Sequence, residues 1–566
     1  MATTKIDNPN LFDFSSLNTA LQLPTGDTAS RPSSPSTGEW RYNNELKYVE
    51  YWDGGAWRQI DTEQLPLPDD FPSQNFNVNT YFGNGASQTI DAKFNEAANF
   101  NGSSSYITTG LTLPADSAMS FSFWFKWSST QPGSGDVYLL SDLNSSASGN
   151  RIDIRIAQSY SNQIYIDIGD GSSRDNKATG YIPAADTWYN LVVTLNGTAV
   201  VMYINGNPEV SYTSSVAFGT VGADPIVLGR AGAYNCCYLQ CGMDQVRIFN
   251  TTLTAAQAED CYTDETTTTA ATLDFPSGAG CIAAYQLDGD ASDLSGNYNG
   301  ATTDIGFTGL QFRPDFTWIK NRDSSAWHNL SDSVRGASKS LFSNDAYQEV
   351  DDTGGTRAKS FNSNGFTLDG NNNDVNGSNN KYVAWSWKAG GAPTADNVAG
   401  VGNVPTSGSV KVDDADSTAA LTGTIVAKKI SANTNSGFSI VQYDGTGTAG
   451  TIDHLLGVVP NLVIVKRTDS SGNWIVGSTE VDSNSWTKIL QLDLSDAEAS
   501  YTGFNDTPPT TSVFSLGTNN PVNNGSGNYI AYCFANKNGY QRVGSYTGNN
   551  STNGEFVYTT SDGTAT

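Results

Sequence analysis

Residues able to do covalent chemistry are sparse in this chain. Its only two histidines are His328, after Trp327, and His454, after Asp453. Neither stands in a nucleophile elbow, so no histidine-based triad is expected and both read as structural or surface residues. Six cysteines in 566 residues do not form a disulfide framework. Cys236, Cys237 and Cys241 cluster, but both histidines lie far off in sequence and no clear fourth zinc ligand exists. The cluster therefore reads as buried thiols. Acidic turns such as Gly169-Asp170-Gly171 and Asp288-Gly289-Asp290 lack the ligand pattern of a calcium loop. Phosphate-loop, dinucleotide and metalloprotease motifs are absent. No catalytic residue, metal ligand or cofactor is assigned.

Glycan hydrolysis needs two carboxylates roughly 5–9.5 Å apart. The nearest fragment, Glu480-Val481-Asp482, lies in the C-terminal half. Arg151-Ile152-Asp153-Ile154-Arg155 alternates like a strand but offers one acid between two arginines, and reads as a cross-strand ion pair. What remains is non-covalent recognition, in which the flat face of a sugar ring lies on an aromatic ring. Ala233-Tyr234-Asn235 with Tyr238 forms an aromatic loop, and Tyr234, Asn235 and Tyr238 are the candidate ligand-binding residues. In the competing reading both tyrosines pack under the loop or at a subunit interface, and that alternative stays open.

The elements holding these residues are strands. Apolar residues come in short bursts between turn residues, with 56 glycines, 11% aromatics and only 15% charged residues. This is an all-β pattern, and the length calls for about three to five domains. Asn196-Gly197 and Asn205-Gly206 separate Leu191–Leu195, Val200–Ile204 and Glu209–Tyr212, which predicts two tight hairpins. Thr254-Ala255-Ala256-Gln257 is a capping box that predicts one short helix over 254–262. Near the N-terminus, beyond the apolar patch Leu11-Phe12-Asp13-Phe14, residues 31–58 read as a three-strand meander turning at Asn43-Asn44 and Asp53-Gly54. The proline-rich stretch 61–80 reads as a linker. Pro314–Lys320 recurs as Pro460–Lys466, Phe366-Thr367-Leu368 as Phe514-Ser515-Leu516, and Tyr382–Trp385 as Tyr529–Tyr532. Trp327 aligns with Trp474. The spacing of 146–148 residues marks a duplicated β-sandwich. Val543–Gly548 echoes Ser439–Gly445, as though a third copy begins; either a strand completing a partner's sandwich or a longer natural chain accounts for it.

Residues 94–262 resemble a laminin-G-like, concanavalin A-type jelly roll. The motifs carrying that likeness are Phe100-Asn101-Gly102, Ser120–Lys126, Asp186–Val193, Val201–Gly206 and Met243–Asn250. The resemblance implies a two-sheet sandwich that binds glycans or proteins, with room for a rim Ca²⁺ that no motif locates. Related glucanases carry a Glu-x-Asp-x-Glu strand that this chain lacks. Residues 31–58, with Arg31-Pro32, Arg41-Tyr42-Asn43 and Trp57, resemble a module of bacteriophage tail-fibre and other virion proteins.

The expected organisation is therefore all-β and multidomain. Residues 1–80 form an attachment arm with meander and linker, and 81–265 a jelly roll. Residues 266–390 form one sandwich whose opening strand is Cys281–Gly289. A linker, 391–436, leads to a second sandwich at 437–540, and 541–566 start a third copy. The net charge of −27 repels nucleic acid and anionic membranes. No apolar run approaches the ~20 residues of a membrane span, and no signal segment is evident at the start. The expected protein is a non-enzymatic phage virion component, a tail fibre or tail-associated adhesin that binds host surface glycan. Its expected partners are other virion proteins and further copies of itself, a trimer being implied by fibre resemblance alone. A decoration or scaffolding protein is the alternative, and a depolymerase is disfavoured by the missing acid pair.

Overall fold

The computed structural model describes residues 24–36, 39–43, 48–52, 57–59, 74–84, 88–113, 118–128, 131, 135–142, 152–170, 173–218, 225–232, 236–263, 266, 271–482, 485–537 and 540–550. The chain forms two units, residues 1–69 and 70–566. In the first, strands Trp40–Asn43, Tyr48–Trp52 and Trp57–Gln59 make the expected meander, with Thr25–Gly26 added in parallel at its edge. A buried carboxylate organises it. Glu50 accepts from Arg31 Nη2 at 2.5 Å and from Asn43 Nδ2 at 3.3 Å, and lies 3.3 Å from Arg41 Nε. The Arg31 hydrogen bond holds the Glu50 carboxyl below its usual range. The Leu11–Phe14 patch, both meander turns beyond Asn43, and residues 60–73 of the expected linker lie outside the described residues.

The second unit contains the jelly roll. One sheet runs Arg174–Ala178, Gln163–Gly169, Ile152–Ala157, Asp136–Asp142, Pro225–Leu228, Tyr106–Thr112, Ala301–Thr303. The other runs Asn207–Thr213, Ala199–Ile204, Tyr189–Asn196, Ala118–Trp127, Gln240–Phe249, Ala97–Asn101, Gly306–Thr308. Alternation decides the faces. Phe121, Phe123 and Phe125 point inward against Ile152, Ile154 and Ile156 in one continuous core. The opposite face, at Val192 and Tyr203, is covered by helix Ala255–Thr263 through Ala258 and Cys261. The Asn-Gly hairpins form as expected. So does the capping box: Gln257 N donates to Thr254 Oγ1 at 3.2 Å and Thr254 N to Gln257 Oε1 at 3.0 Å.

The expected boundaries change. Cys281–Tyr285 pairs with Gln240–Phe249, Ala301–Thr303 with Tyr106–Thr112, and Gly306–Thr308 with Ala97–Asn101. Residues 281–308 thus close the jelly roll instead of opening a second sandwich; Tyr285, Leu287 and Ala291 belong to its core. Conversely, Phe76–Phe82 and Gln88–Ile90 leave the expected linker and jelly roll and pair with Lys381–Trp387 and Gly365–Leu368. In the second repeat, Phe438–Asp444 and Gly450–Asp453 pair in the same way with Asn528–Phe534 and Val513–Leu516. The jelly roll is therefore inserted into the first repeat between its second and third strands.

Detail repeats with topology. Tyr81 stacks on Tyr382 and Tyr443 on Tyr529, each pair with centroids 5.2 Å apart. The hydroxyls of Tyr81 and Tyr443 donate to Val375 O and Val522 O, both at 2.7 Å. The ladders pair Ile319 with Asn329 and Val465 with Ile475, so His328, not Trp327, occupies the position of Trp474. Residues 391–436 are not all linker: Val410–Val412 and Ala427–Asn433 extend the second repeat's large sheet beside Phe438–Asp444. Their buried side chains include small ones, such as Ala427 and Ala432, which hid the strand pattern. Val543–Gly548 forms no strand.

Candidate functional site

The loop singled out in the sequence lies where strand Pro225–Leu228 leads back toward strand Gln240–Phe249. Tyr234 and Asn235 fall outside the described residues. Tyr238 is half-buried, its ring 6.5 Å from that of Tyr106, over which the Arg230 guanidinium sits at 4.1 Å. Cys236 is exposed, Cys237 half-buried and Cys241 buried, so the expectation of buried thiols holds only for the last. Burial pushes the Cys241 thiol up to about 12. Among the described residues no three His, Cys, Asp or Glu side chains converge as metal ligands.

The seven-stranded sheet next to this loop carries a charge network on its outward face. Arg155 Nε donates to Asp136 at 2.7 Å and Nη1 to Asp167 at 2.8 Å, with the Tyr165 ring 4.9 Å from its guanidinium. Arg174 Nε also donates to Asp167, at 2.8 Å. The cross-strand ion pair read from 151–155 thus forms through Arg155, while Asp153 accepts from Ser141 Oγ at 2.6 Å. Gly232 N donates to the same Oγ at 3.0 Å, which ties the loop to the sheet. These arginine–carboxylate contacts tie the outer strands of the sheet together. Glu480-Val481-Asp482 follows strand Ile475–Ser478 as a turn, in which Asp482 accepts from Thr487. His454 is buried, with Nε2 facing Thr510 O at 3.1 Å and Nδ1 accepting from Leu456 N at 3.2 Å, a structural role.

A larger concavity, which the sequence reading missed, opens where the jelly roll meets both repeats. It is a cleft of about 650 Å³ lined by Asn75, Phe94, Asn95, Gln311, Asn364 and Asn435, with Lys93, Lys388, Asp413 and Asp414 among its charged members. Its walls are fixed from several directions. The buried Asp244 carboxylate accepts from Lys93 N at 3.1 Å and Phe94 N at 2.8 Å, setting the turn that presents the Phe94 ring. Asn364 Nδ2 donates to Ala92 O at 2.9 Å, and Asn433 Nδ2 to Asn75 Oδ1 at 3.0 Å. Its two acids are engaged: Asp413 accepts from Thr434 N at 2.8 Å, and Asp414 pairs with Lys388 at 3.0 Å. An amide-rich wall with one aromatic ring suits a neutral, hydroxyl-rich ligand, because amides both donate and accept. No single segment announces this site, since its residues span positions 74–435.

Beside the cleft, Asp288 accepts from Glu96 N at 3.0 Å and from Asn95 Nδ2 at 3.1 Å. Burial, with the nearby Asp288 charge, pushes the Glu96 carboxyl up to about 7.

Residues 101–259 match the concanavalin A-like lectin/glucanases superfamily. Residues 293–424 and 411–562 each match a domain of unknown function (DUF7483), so the duplication is seen at family level too. No curated protein matches the chain. Among solved structures, a Bacteroides ovatus protein described as carbohydrate binding is 17% identical, with a TM-score of 0.29, over 39% of this chain and 60% of that one. The chain thus spans about 60% of that relative's length. Domain 4 of an extracellular GH43 arabinanase from Geobacillus stearothermophilus, solved with arabinotriose, is 21% identical over 33% of this chain and 87% of that one, TM-score 0.26. The enzymatically active domain of tailspike protein 2 from bacteriophage CBA120 is 8% identical over 38% of this chain and 34% of that one, TM-score 0.30. Scores this low carry no functional weight. What stands is an all-β protein of several sandwiches with a concanavalin A-like domain set among them.

Proposed function

We propose that this protein is a non-enzymatic phage virion component, a tail fibre or tail-associated adhesin that binds host surface glycan. The observation that carries the glycan reading is the cleft at the junction of the jelly roll and the repeats. There the Phe94 ring offers a stacking face, and Asn75, Asn95, Gln311, Asn364 and Asn435 offer hydrogen bonds in both directions. The lectin-type superfamily of residues 101–259 supports it. Virion attachment rests on the likeness of residues 31–58 to a phage module. Tyr234, Asn235 and Tyr238 are the further candidate contacts in this reading, and of these Tyr238 lies beside Tyr106, whose ring carries Arg230.

Full-length protein on an array of bacterial surface polysaccharides tests the proposal. Binding that drops at least tenfold in Phe94→Ala and Asn364→Ala, and is unchanged in Tyr238→Ala, assigns the cleft. The reverse pattern assigns the loop. Folded protein that binds no glycan, or that releases reducing ends from one, sinks the reading. Labelling of phage particles with antibody against the chain tests the virion assignment.

A further inference from the structure

Inside this chain the two repeats pack through the faces of their large sheets that point away from their own cores. The second repeat contributes Phe438, Ile440, Ile530 and Tyr532, all buried, and the first covers them with Phe316, Leu330, Val334 and Leu341. Hydrogen bonds fix the fit. Tyr532 OH donates to Asp332 at 2.7 Å, beside the Arg335–Asp332 ion pair of 2.6 Å, and Trp474 Nε1 donates to Phe342 O at 2.9 Å.

Strand register identifies the same positions in the other copy. The residues of the first repeat equivalent to Phe438, Ile440, Ile530 and Tyr532 are Phe76, Val78, Val383 and Trp385, with Trp318 at the place of Ile464. They remain apolar, yet Val78 is 39% exposed and Val383, Trp385 and Trp318 are only half-buried. A solvated sheet face normally alternates to polar residues, and this one does not. The covering strip has a counterpart as well. Leu330 and Leu341 correspond to Val476 and Leu490. Leu490 is 38% exposed, and Leu492 and Leu494 beyond it are 38% and 45% exposed.

We infer that the part of the first repeat's outer face around Val78, Val383 and Trp385, which the second repeat of the same chain leaves open, receives the second repeat of another copy of this chain, so that copies associate head to tail. The contact continues an interface the chain already makes once within itself. The positions of Asp332, Arg335 and Tyr532 are taken in the intermolecular contact by Ser478, Val481 and Trp385, which removes the buried ion pair, while Glu480 stands at the position of Val334 and sets one carboxylate at the contact. The association is heterologous, with one patch on each partner, and it either closes into a ring or extends.

Sedimentation of the full chain across a hundredfold concentration range tests this, with Val78→Glu and Leu490→Glu as exposed substitutions that leave the sandwich cores untouched. Wild type is expected to exceed the 60.2 kDa monomer mass at high concentration. Each variant alone is expected to stay monomeric, with matching melting curves as the check on folding. An equimolar mixture of the two is expected to form a dimer and nothing larger, because each supplies one intact patch. A wild type that stays monomeric throughout, or a mixture that fails to dimerise while wild type associates, overturns the inference. So does amide protection at 381–387 that is lost on deleting residues 1–69, which would place the occupant within the same chain.

Discussion

Glu96 is the side chain whose protonation most directly reports on the junction of the jelly roll and the first repeat. Burial and the Asp288 charge raise its carboxyl to about 7, against an ordinary 4.5. Between those values the folded protein holds a proton that the unfolded chain releases. Stability from this group is therefore complete below about pH 4.5 and is lost as pH rises through about 7. Glu96→Gln keeps the neutral form at all pH. It should raise the melting temperature at pH 8, by a free energy on the order of 1–2 kcal/mol once partial exposure is discounted. At pH 4 it should change little, and thermal melts at the two pH values check both statements. An equal gain at pH 4 would trace the effect to packing instead. Nothing in the sequence marks Glu96, because its shift comes first from burial created by the fold and then from Asp288, 192 residues away. Single residues were legible where their partner is local, as with Thr254 and Gln257. The cleft amides were not, since Asn and Gln carry no signal until distant segments bring them together.

Elements were legible from period and turn chemistry, and their ownership was not. The Asn-Gly hairpins and the capped helix follow from adjacent residues. Assigning Phe76–Phe82 to the first repeat needs a comparison across the inserted jelly roll. The signal exists: Phe76–Asp91 aligns without gaps to Phe438–Asp453, sharing Phe, Tyr, Gly, Gly, Thr, Ile and Asp at matching positions. Its offset differs from that of the later strands because the jelly roll intervenes, so a search at one fixed spacing passes over it. Two of the shared residues have a steric reason. A Cβ on Gly83 would lie 2.2 Å from Gly377 O, and one on Gly445 would lie 2.0 Å from Asn524 O, each also crowding the stacked tyrosine of its own repeat. Gly83→Ala and Gly445→Ala should each cost about 3 kcal/mol through overpacking, read by urea unfolding. Either substitution proving neutral would mean that this turn is looser than the paired tyrosines imply.

At the scale of the whole molecule, the inserted jelly roll sets where the chain can be cut. Its two ends, near Asp91 and Gly309, both lie at the first repeat. In the second repeat, only the loop between Gly450–Asp453 and Leu462–Arg467 stands where the jelly roll is inserted in the first. Replacing residues 92–313 by a copy of His454–Val459 should therefore leave a folded pair of repeats, since the core formed by Tyr81, Ile90, Ile319, Phe366 and Tyr382 contains no jelly-roll residue. The complementary fragment, 92–309, should fold alone because it keeps the Asp244 contacts of residues 93–94 and all strands of its own core. A fragment cut at 81–265, the boundary suggested by sequence, should not. It loses Cys281–Tyr285, Ala301–Thr303 and Gly306–Thr308, exposes the long edges those strands cover, and carries Tyr81, Phe82 and Gln88–Ile90 without their partner strands. Circular dichroism melts and limited proteolysis of the three fragments decide it. A cooperative transition for 81–265 at the temperature of 92–309 would show that the later strands are additions to a finished sandwich, and that the chain is a string of domains instead of one repeat carrying another fold inside it.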